Sequence, residues 1–244
     1  MSHDRPAQII LVRHGQSLLN VAKKTASYFA NNVDRNKSGV EGIADEEIPL
    51  TPIGARQAKM TGAFLAKHFP APHYVYHSDY ERTRATTRLI LDAFPKESLV
   101  RMKVRHSPAI REREPGYTYN MTVTEAETHF PWLQPYWQTT GPFYARPPGG
   151  ESMADVTDRA HRFLSTLFRD RVGMNILVVT HGNTIRALRF LLERWTTHDF
   201  TAGPGKPTPK NCGIFAYSYD PLDRRFTLTH DNVACYEKRR RKNK

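Results

Sequence analysis

Two stretches of the 244-residue chain share one construction. Ile9-Ile10-Leu11-Val12 leads into Arg13-His14-Gly15, and Ile176-Leu177-Val178-Val179-Thr180 leads into His181-Gly182-Asn183. Each is a short, nearly continuous apolar run, the pattern of a buried strand, and each delivers a histidine to its carboxyl end. A glycine follows in both, so that backbone can approach a ligand closely. In an open α/β sheet the carboxyl edge of the strands is where ligands bind, and a helix starting after the second histidine would turn its free amides towards an anion. The residues by themselves therefore describe an anion site holding two histidines and an arginine.

The rest of the chain must supply the frame that brings these residues together. Thr51 and Pro52 form an N-cap and first-turn pair, and apolar residues at Met60, Ala63, Phe64 and Leu65 predict a helix to about His68. Tyr74–His77 reads as a strand, Tyr80 to Phe94 as a helix and Leu99–Val104 as another strand. Met153, Val156, Ala160, Phe163, Leu164, Leu167 and Phe168 lie on one face of a helix running from Glu151 to about Arg171. A further helix is expected over Thr184–Trp195, with closing strands at Cys212–Tyr219 and Arg225–His230. Residues 23–49, 106–149 and 196–211 are rich in loop-forming residues; the first reads as a long irregular insertion, the second holds one short helix near Thr124–His129. Strands alternating with helices predict an α/β fold, a three-layer αβα sandwich on a mainly parallel central sheet, with loop insertions over the active-site edge. One domain is expected over residues 1–237, followed by a basic tail at 238–244.

Against that frame, Leu11-Val12-Arg13-His14-Gly15-Gln16-Ser17, with Asn20 three residues on, resembles the signature of the histidine phosphatase superfamily in its phosphoglycerate-mutase-like branch. Four more segments agree in order: Ser78 to Thr87 (SDYERTRATT), Ile110-Arg111-Glu112 with Gly116 beyond it, Pro148-Gly149-Gly150-Glu151-Ser152, and Val179 to Leu188 (VTHGNTIRAL). The resemblance spans residues 8 to about 192. It implies that His14 is the nucleophile that becomes phosphohistidine, that Arg13 and Arg82 clamp the phosphoryl group, that His181 stabilises the transition state and that Glu112 protonates the leaving oxygen. It places Gly15, Asn20, Gly182 and Asn183 along the phosphate or substrate pocket. Those residue types suit the chemistry, because phosphoryl transfer spreads charge over equatorial oxygens that guanidinium forks bind in pairs. Glu114 offers a second carboxylate in the acid loop; spacing to Gly116 favours Glu112, although flanking arginines would lower rather than raise its pKa.

The arginines and histidines supply the charge, so no metal and no cofactor is expected. Asp45-Glu46-Glu47 is read as a solvated acidic run. The chain departs from the glycolytic mutases in having no Gly-Trp beyond Asn20, where Tyr28-Phe29-Ala30-Asn31-Asn32 stands, and in an acid loop that reads Glu112-Arg113-Glu114-Pro115-Gly116. These departures favour a phosphatase; Asn183 keeps a mutase-type phosphotransferase open, and a catalytically inactive binding relative is the third reading. Tyr117, Tyr119, Trp132, Tyr136, Trp137 and Tyr144 are read as local packing under a lid, or as a surface that stacks on a sugar or base.

Composition narrows the partners. Lys and Arg number 36 against 24 Asp and Glu, a net +12, and half of that excess sits in the last seven residues, which hold six cations. A basic body would steer a small anionic substrate; the family resemblance makes that a small phosphorylated metabolite, with a phosphoprotein as second candidate, and implies a homodimer as the candidate assembly. No aromatic-interleaved basic module argues for nucleic acid, and no apolar run argues for a membrane. Two cysteines 23 residues apart make neither a disulfide framework nor a zinc pattern. With no apolar signal core before Ile9, a cytoplasmic protein is expected, with the basic tail as a candidate nuclear signal.

Overall fold

The computed structural model describes residues 4–25, 40, 42–119, 121, 123–205 and 207–237. The basic tail and most of the 23–49 insertion lie outside these residues.

Six strands form one sheet: β1 (Gln8–Arg13), β2 (Tyr74–His77), β3 (Lys103–His106), β4 (Asn175–Thr180), β5 (Ile214–Asp220) and β6 (Arg225–Val233), in the order β3-β2-β4-β1-β5-β6. The first four in that order run parallel; β5 runs antiparallel to β1, and β6 antiparallel to β5. The continuous apolar runs of β1 and β4 make them the central pair, with Ile9, Leu11, Val12, Ile176, Val178 and Val179 all fully buried.

Alternation along these strands feeds two cores. Ile9, Leu11, Ile176, Val178, Phe215 and Tyr217 face α7 (Met153–Asp170) and α8 (Gly182–Leu192). Ile10, Val12, Val75, Leu177, Val179 and Ala216 face α2 (Pro52–His68) and α3 (Glu81–Leu91). The helices therefore cover both sheet faces. Chain leaving β1 heads for the α2 face and chain leaving β4 for the α8 face. Adjacent strands with opposite exits open a crevice at their carboxyl ends.

The start of α2 shows how tightly that crevice is built. Thr51 caps the helix by accepting from the Gly54 amide at 3.0 Å, as its sequence predicts, and its own amide donates to the Gln16 carbonyl at 2.9 Å. Gly54 then packs against the loop after His14: a Cβ on Gly54 would stand 2.0 Å from the Gln16 carbonyl oxygen, and one on Gly15 2.5 Å from the Gly54 carbonyl oxygen. Only two glycines allow this approach.

Three local expectations change. The stretch predicted as a strand over Leu99–Val104 is a short helix α4 (Lys96–Leu99) followed by β3, because the exposed edge register starts at Lys103 opposite Tyr74. Residues 23–25 are not loop but the end of helix α1 (Leu18–Thr25). The 106–149 stretch holds two helices, α5 (Val123–His129) and α6 (Leu133–Thr140), the second unforeseen because Pro135 masks its pattern. A short α9 (Thr197–Thr201) follows α8. No helix among the described residues is long and apolar enough to cross a membrane. We expect Gly54→Ala to cost about 1–3 kcal/mol through overpacking. Thermal unfolding of the variant checks this, and a midpoint equal to wild type would show that the α2–loop contact is slack.

Candidate active site

The register of β1 and β4 sets the site. Arg13 pairs with Thr180, and the His14 amide donates to the Thr180 carbonyl at 2.9 Å. The two histidines thus leave adjacent strands at one level, with ring centroids 5.2 Å apart, and both are buried. His14 lines a cavity of about 820 Å³ whose wall also includes Arg13, Asn20, Arg82, Glu112, Gly182 and Asn183. Gly15 sits behind this wall and donates its amide to Thr86 Oγ1 at 3.0 Å. Seven of the nine residues singled out from the sequence line this cavity; Gly15 and His181 stand behind His14, the latter with its ring against that of His14.

His14 is held through its ring. Nδ1 lies 2.7 Å from the Gly15 carbonyl oxygen, which can only accept, so a neutral ring carries its proton on Nδ1 and its lone pair on Nε2. The backbone of this loop is fastened by Asn211, whose amide donates to the His14 carbonyl at 3.1 Å and to Asn20 Oδ1 at 2.9 Å. Asn20 Oδ1 also accepts from the Ser17 amide at 3.1 Å.

His181 is the N-cap of α8 and is fully buried. Its Nε2 bonds Ser78 Oγ at 2.7 Å, while Nδ1 is buried without a partner. Burial first, then the nearby Arg82, His14 and Arg13, hold its pKa well below the ordinary value. The ring is therefore neutral at neutral pH.

The arginines differ in how they are held. Arg13 donates Nη1 to the Pro209 carbonyl at 2.7 Å and keeps a buried, unpartnered Nε; burial lowers its pKa. Arg82, almost fully buried, lies over the Tyr80 ring at 4.5 Å and is gripped by Asp45, with Nη1–Oδ1 at 3.0 Å and Nη2–Oδ2 at 3.3 Å. Asp45 is thus not part of a solvated run. Glu46 and Glu47 are exposed, but Asp45 turns inward on a 3₁₀ turn to neutralise a buried guanidinium.

Glu112 reaches the cavity and Glu114 does not. Glu112 Oε1 accepts from the Arg113 amide at 2.9 Å, whereas Glu114 accepts from the Gly116 amide at 3.1 Å and faces Arg111 at 3.6 Å. Gly116 adopts φ +59°, and a Cβ there would meet the Pro148 carbonyl oxygen at 2.1 Å, which is why this spacing needs glycine. The acid loop is pinned from three sides. Thr180 Oγ1 donates to the Ile110 carbonyl and Thr184 Oγ1 to the Arg111 carbonyl, each at 2.6 Å. Buried Arg159 donates to the Ala109 and Glu112 carbonyls at 2.8 and 3.1 Å and pairs with Glu151 at 2.9 Å. Burial opposes the Glu151 charge, but the Arg159 hydrogen bond and the Glu114 amide hold its pKa below the usual carboxylate range.

Sequence reasoning missed Ser78, Asp45, Asn211, Arg113 and Arg186 as members of the site. Ser78 and Arg186 lie inside the Ser78–Thr87 and Val179–Leu188 motifs; Asn211 carries no local signal, since only tertiary packing brings it to the His14 loop. Of the six aromatics considered, only Trp137 lines the cavity. Among the described residues no three His, Cys, Asp or Glu side chains cluster in a way that could hold a metal ion. Both cysteines are free thiols.

Two predictions follow from the electrostatics. Asp45 occupies Arg82 in the way an anionic ligand would, so Asp45→Asn should tighten binding of inorganic phosphate by about threefold to tenfold; calorimetry that finds weaker binding would instead make Asp45 a support for Arg82. The depressed His181 pKa means that the unfolded chain binds more protons than the folded one below the ordinary value of 6.5. Stability is therefore full above that pH and falls below it, by at most ~1.4 kcal/mol per pH unit from this group. Thermal midpoints measured from about pH 7 to 5 should fall, and His181→Asn should flatten part of that slope.

Residues 9–232 match the Histidine phosphatase superfamily (branch 1). Phosphoglycerate mutase-like protein AT74 of Arabidopsis thaliana is 32% identical over 212 residues, covering 80% of this chain; the match spans 60% of the length of AT74. A 2,3-bisphosphoglycerate-dependent phosphoglycerate mutase of Sinorhizobium fredii is 30% identical over 191 residues, 77% of this chain and 80% of that protein. Two solved structures share the fold. The alpha-ribazole phosphatase of Shigella flexneri superposes with TM-score 0.69 at 20% identity, covering 93% of this chain and 96% of that one. A mycobacterial glucosyl-3-phosphoglycerate phosphatase superposes with TM-score 0.66 at 22% identity, covering 93% of this chain and all of its own. With two strand-end histidines ring against ring at an arginine-lined cavity and a family match over nearly its whole length, the chain belongs to the histidine phosphatase superfamily, branch 1.

Proposed function

We propose that the protein is a metal-independent phosphatase that hydrolyses a phosphate monoester through a phosphohistidine on His14. The observation that carries this reading is the His14 hydrogen bond to the Gly15 carbonyl, which puts the imidazole lone pair on Nε2 beside His181 and Arg13. In the first step Nε2 attacks phosphorus, the P–O ester bond breaks, and the Glu112 carboxyl gives its proton to the leaving oxygen. In the second, water attacks the phosphohistidine, Glu112 takes the water's proton, and phosphate departs with His14 neutral again. Arg13, Arg82 and the free amides at the start of α8 stabilise the charge on the transferring group, and the unpartnered Nδ1 of His181 is available to it. Gly182 and Asn183 supply the first of those amides, and Asn20 keeps the nucleophile loop in place.

The mutase reading uses the same phosphohistidine with a different acceptor. Similarity to a phosphoglycerate mutase and the place of Asn183 on the cavity wall favour it. The Glu112-Arg113-Glu114-Pro115-Gly116 loop and the missing Gly-Trp favour water as acceptor.

Phosphate release from a panel of sugar phosphates, nucleotides, phosphorylated acids and phosphopeptides tests the proposal. His14→Ala should lower kcat by more than about 1000-fold with the thermal midpoint preserved; a variant that keeps a tenth of the activity removes His14 as nucleophile. Transfer of label between acceptors without phosphate release would select the mutase. EDTA should leave the rate unchanged. Glu112→Gln should slow alkyl phosphates by about 100-fold or more and p-nitrophenyl phosphate far less, because only the poor leaving group needs the proton. Equal losses on both esters would move the acid role elsewhere.

A further inference from the structure

The cavity holds more positive charge than one phosphoryl group requires. Besides Arg13 and Arg82, the side chains of Arg113 and Arg186 line it. Arg186 lies on α8 one turn beyond Gly182 and Asn183, ~5 Å further along the helix. Its Nε donates to the Gly205 carbonyl at 2.7 Å and its Nη2 to the Phe200 carbonyl at 3.0 Å, and its guanidinium lies over the Phe200 ring at 3.9 Å. Arg113 donates Nε to the Glu151 carbonyl at 2.8 Å and lies over the Trp137 indole at 5.6 Å. Neither forms an ion pair among the described residues, which leaves Nη1 of Arg186 and both terminal nitrogens of Arg113 without a protein partner.

The buried arginines among the described residues, Arg82, Arg159 and Arg189, are neutralised. Arg159 pairs with Glu151, and Arg189, one turn further along α8, pairs with Glu193 at 2.7 Å and Asp231 at 3.2 Å. Arg186 has no such help: burial, then the charge of Arg113, push its pKa down to about 10. Glu112, Glu151 and Asp155 lie within electrostatic range of Arg113 but do not pair with it. Asp45 is taken by Arg82, and Glu127, also on the wall, pairs with neither arginine. Two like charges held by carbonyls and aromatic faces in a partly dry pocket are a cost that a bound anion would relieve. A purely structural clip of α8 to the 200–205 segment would use Nε and Nη2 of Arg186 alone and would have no need of Arg113. The same cavity wall also includes the apolar residues Pro115, Ala126, Leu133 and Pro147.

We propose that Arg113 and Arg186, beside the Trp137 indole, form a second anion subsite. On the phosphatase reading above, the substrate is then a phosphate monoester whose apolar or flat frame carries a second anionic group, a carboxylate or another phosphate. Arg186 grips that group, Arg113 shares it, and the indole covers the frame between the two ends.

Calorimetry with non-hydrolysable probes tests the subsite apart from turnover. Benzylphosphonate offers one anion; 4-carboxybenzylphosphonate and 1,4-xylylene bisphosphonate offer two. The wild-type protein should bind one of the two-anion probes at least about tenfold tighter than benzylphosphonate, and the preferred probe names the second group. In Arg186→Met and in Arg113→Met that ratio should fall to within about threefold, with Arg186→Lys between. A wild-type ratio below about twofold overturns the subsite. So does a ratio that survives in both variants, or an equal loss of all three probes in Arg186→Met, which would make the residue a structural clip. A parallel assay compares phosphate release from phenyl phosphate and 4-carboxyphenyl phosphate. No His14-dependent release from either, with the binding ratio intact, would sink the phosphatase reading and leave the subsite standing.

Discussion

The hydrogen bond from the His14 amide to the Thr180 carbonyl continues the parallel ladder of β1 and β4 one step past the last strand pair. Because the ladder is in register, the residues after Arg13 and Thr180 emerge side by side, and both are histidines. A slip of one residue would send every side chain to the opposite sheet face, and a slip of two would move one ring by two strand residues, ~7 Å. The 5.2 Å separation of the rings therefore depends on apolar pairing along the whole length of two buried strands. Thr180 at the end of β4 and Thr184 in α8 also hold the Ile110–Gly116 loop, through Ile110 and Arg111, so His14, His181 and Glu112 share one rigid support.

Charge management divides the buried and half-buried arginines around the site into two groups. Arg159 and Arg189 are matched to carboxylates, and each ties elements together: the acid loop to α7, and α8 to the C-terminal side of the chain. Arg13, Arg113 and Arg186 are oriented by main-chain carbonyls. A carbonyl fixes the direction of a guanidinium without cancelling its charge, which leaves the field of these side chains directed at whatever enters the cavity. Arg82 stands between the two groups, since its partner Asp45 comes from a short turn at the cavity wall rather than from the sheet or its covering helices. Neutral His181 fits this arrangement: with several cations around it, protonation would add charge to a site already rich in it.

Much of the frame was legible in the chain because its signals are local. β4 and β2 follow from short apolar or β-branched runs, and the Thr51-Pro52 cap sets the start of α2 to the residue. The nine candidate residues could be named because motif spacing carries them, and the packed chain gathers them at the carboxyl end of β1 and β4. Boundaries failed where no local signal competes: β3 is an exposed edge strand whose position is set by pairing with β2, and α6 contains a proline that breaks its apolar pattern.

The sequence by itself determined the strand–histidine–glycine pairs, the alternating α/β order and the presence of a second carboxylate near Glu112. Only the tertiary structure shows that Glu112 and not Glu114 lines the cavity, because the two are separated by which side of a pinned loop each faces, not by residue type. It also decided that Asp45 neutralises Arg82, that Asn211 fastens the His14 loop across 197 residues of chain, and that Arg186 opens onto the cavity. Each of these is a contact between side chains far apart in sequence or a matter of which charge is left without a partner, and such balances exist only once the whole chain is packed.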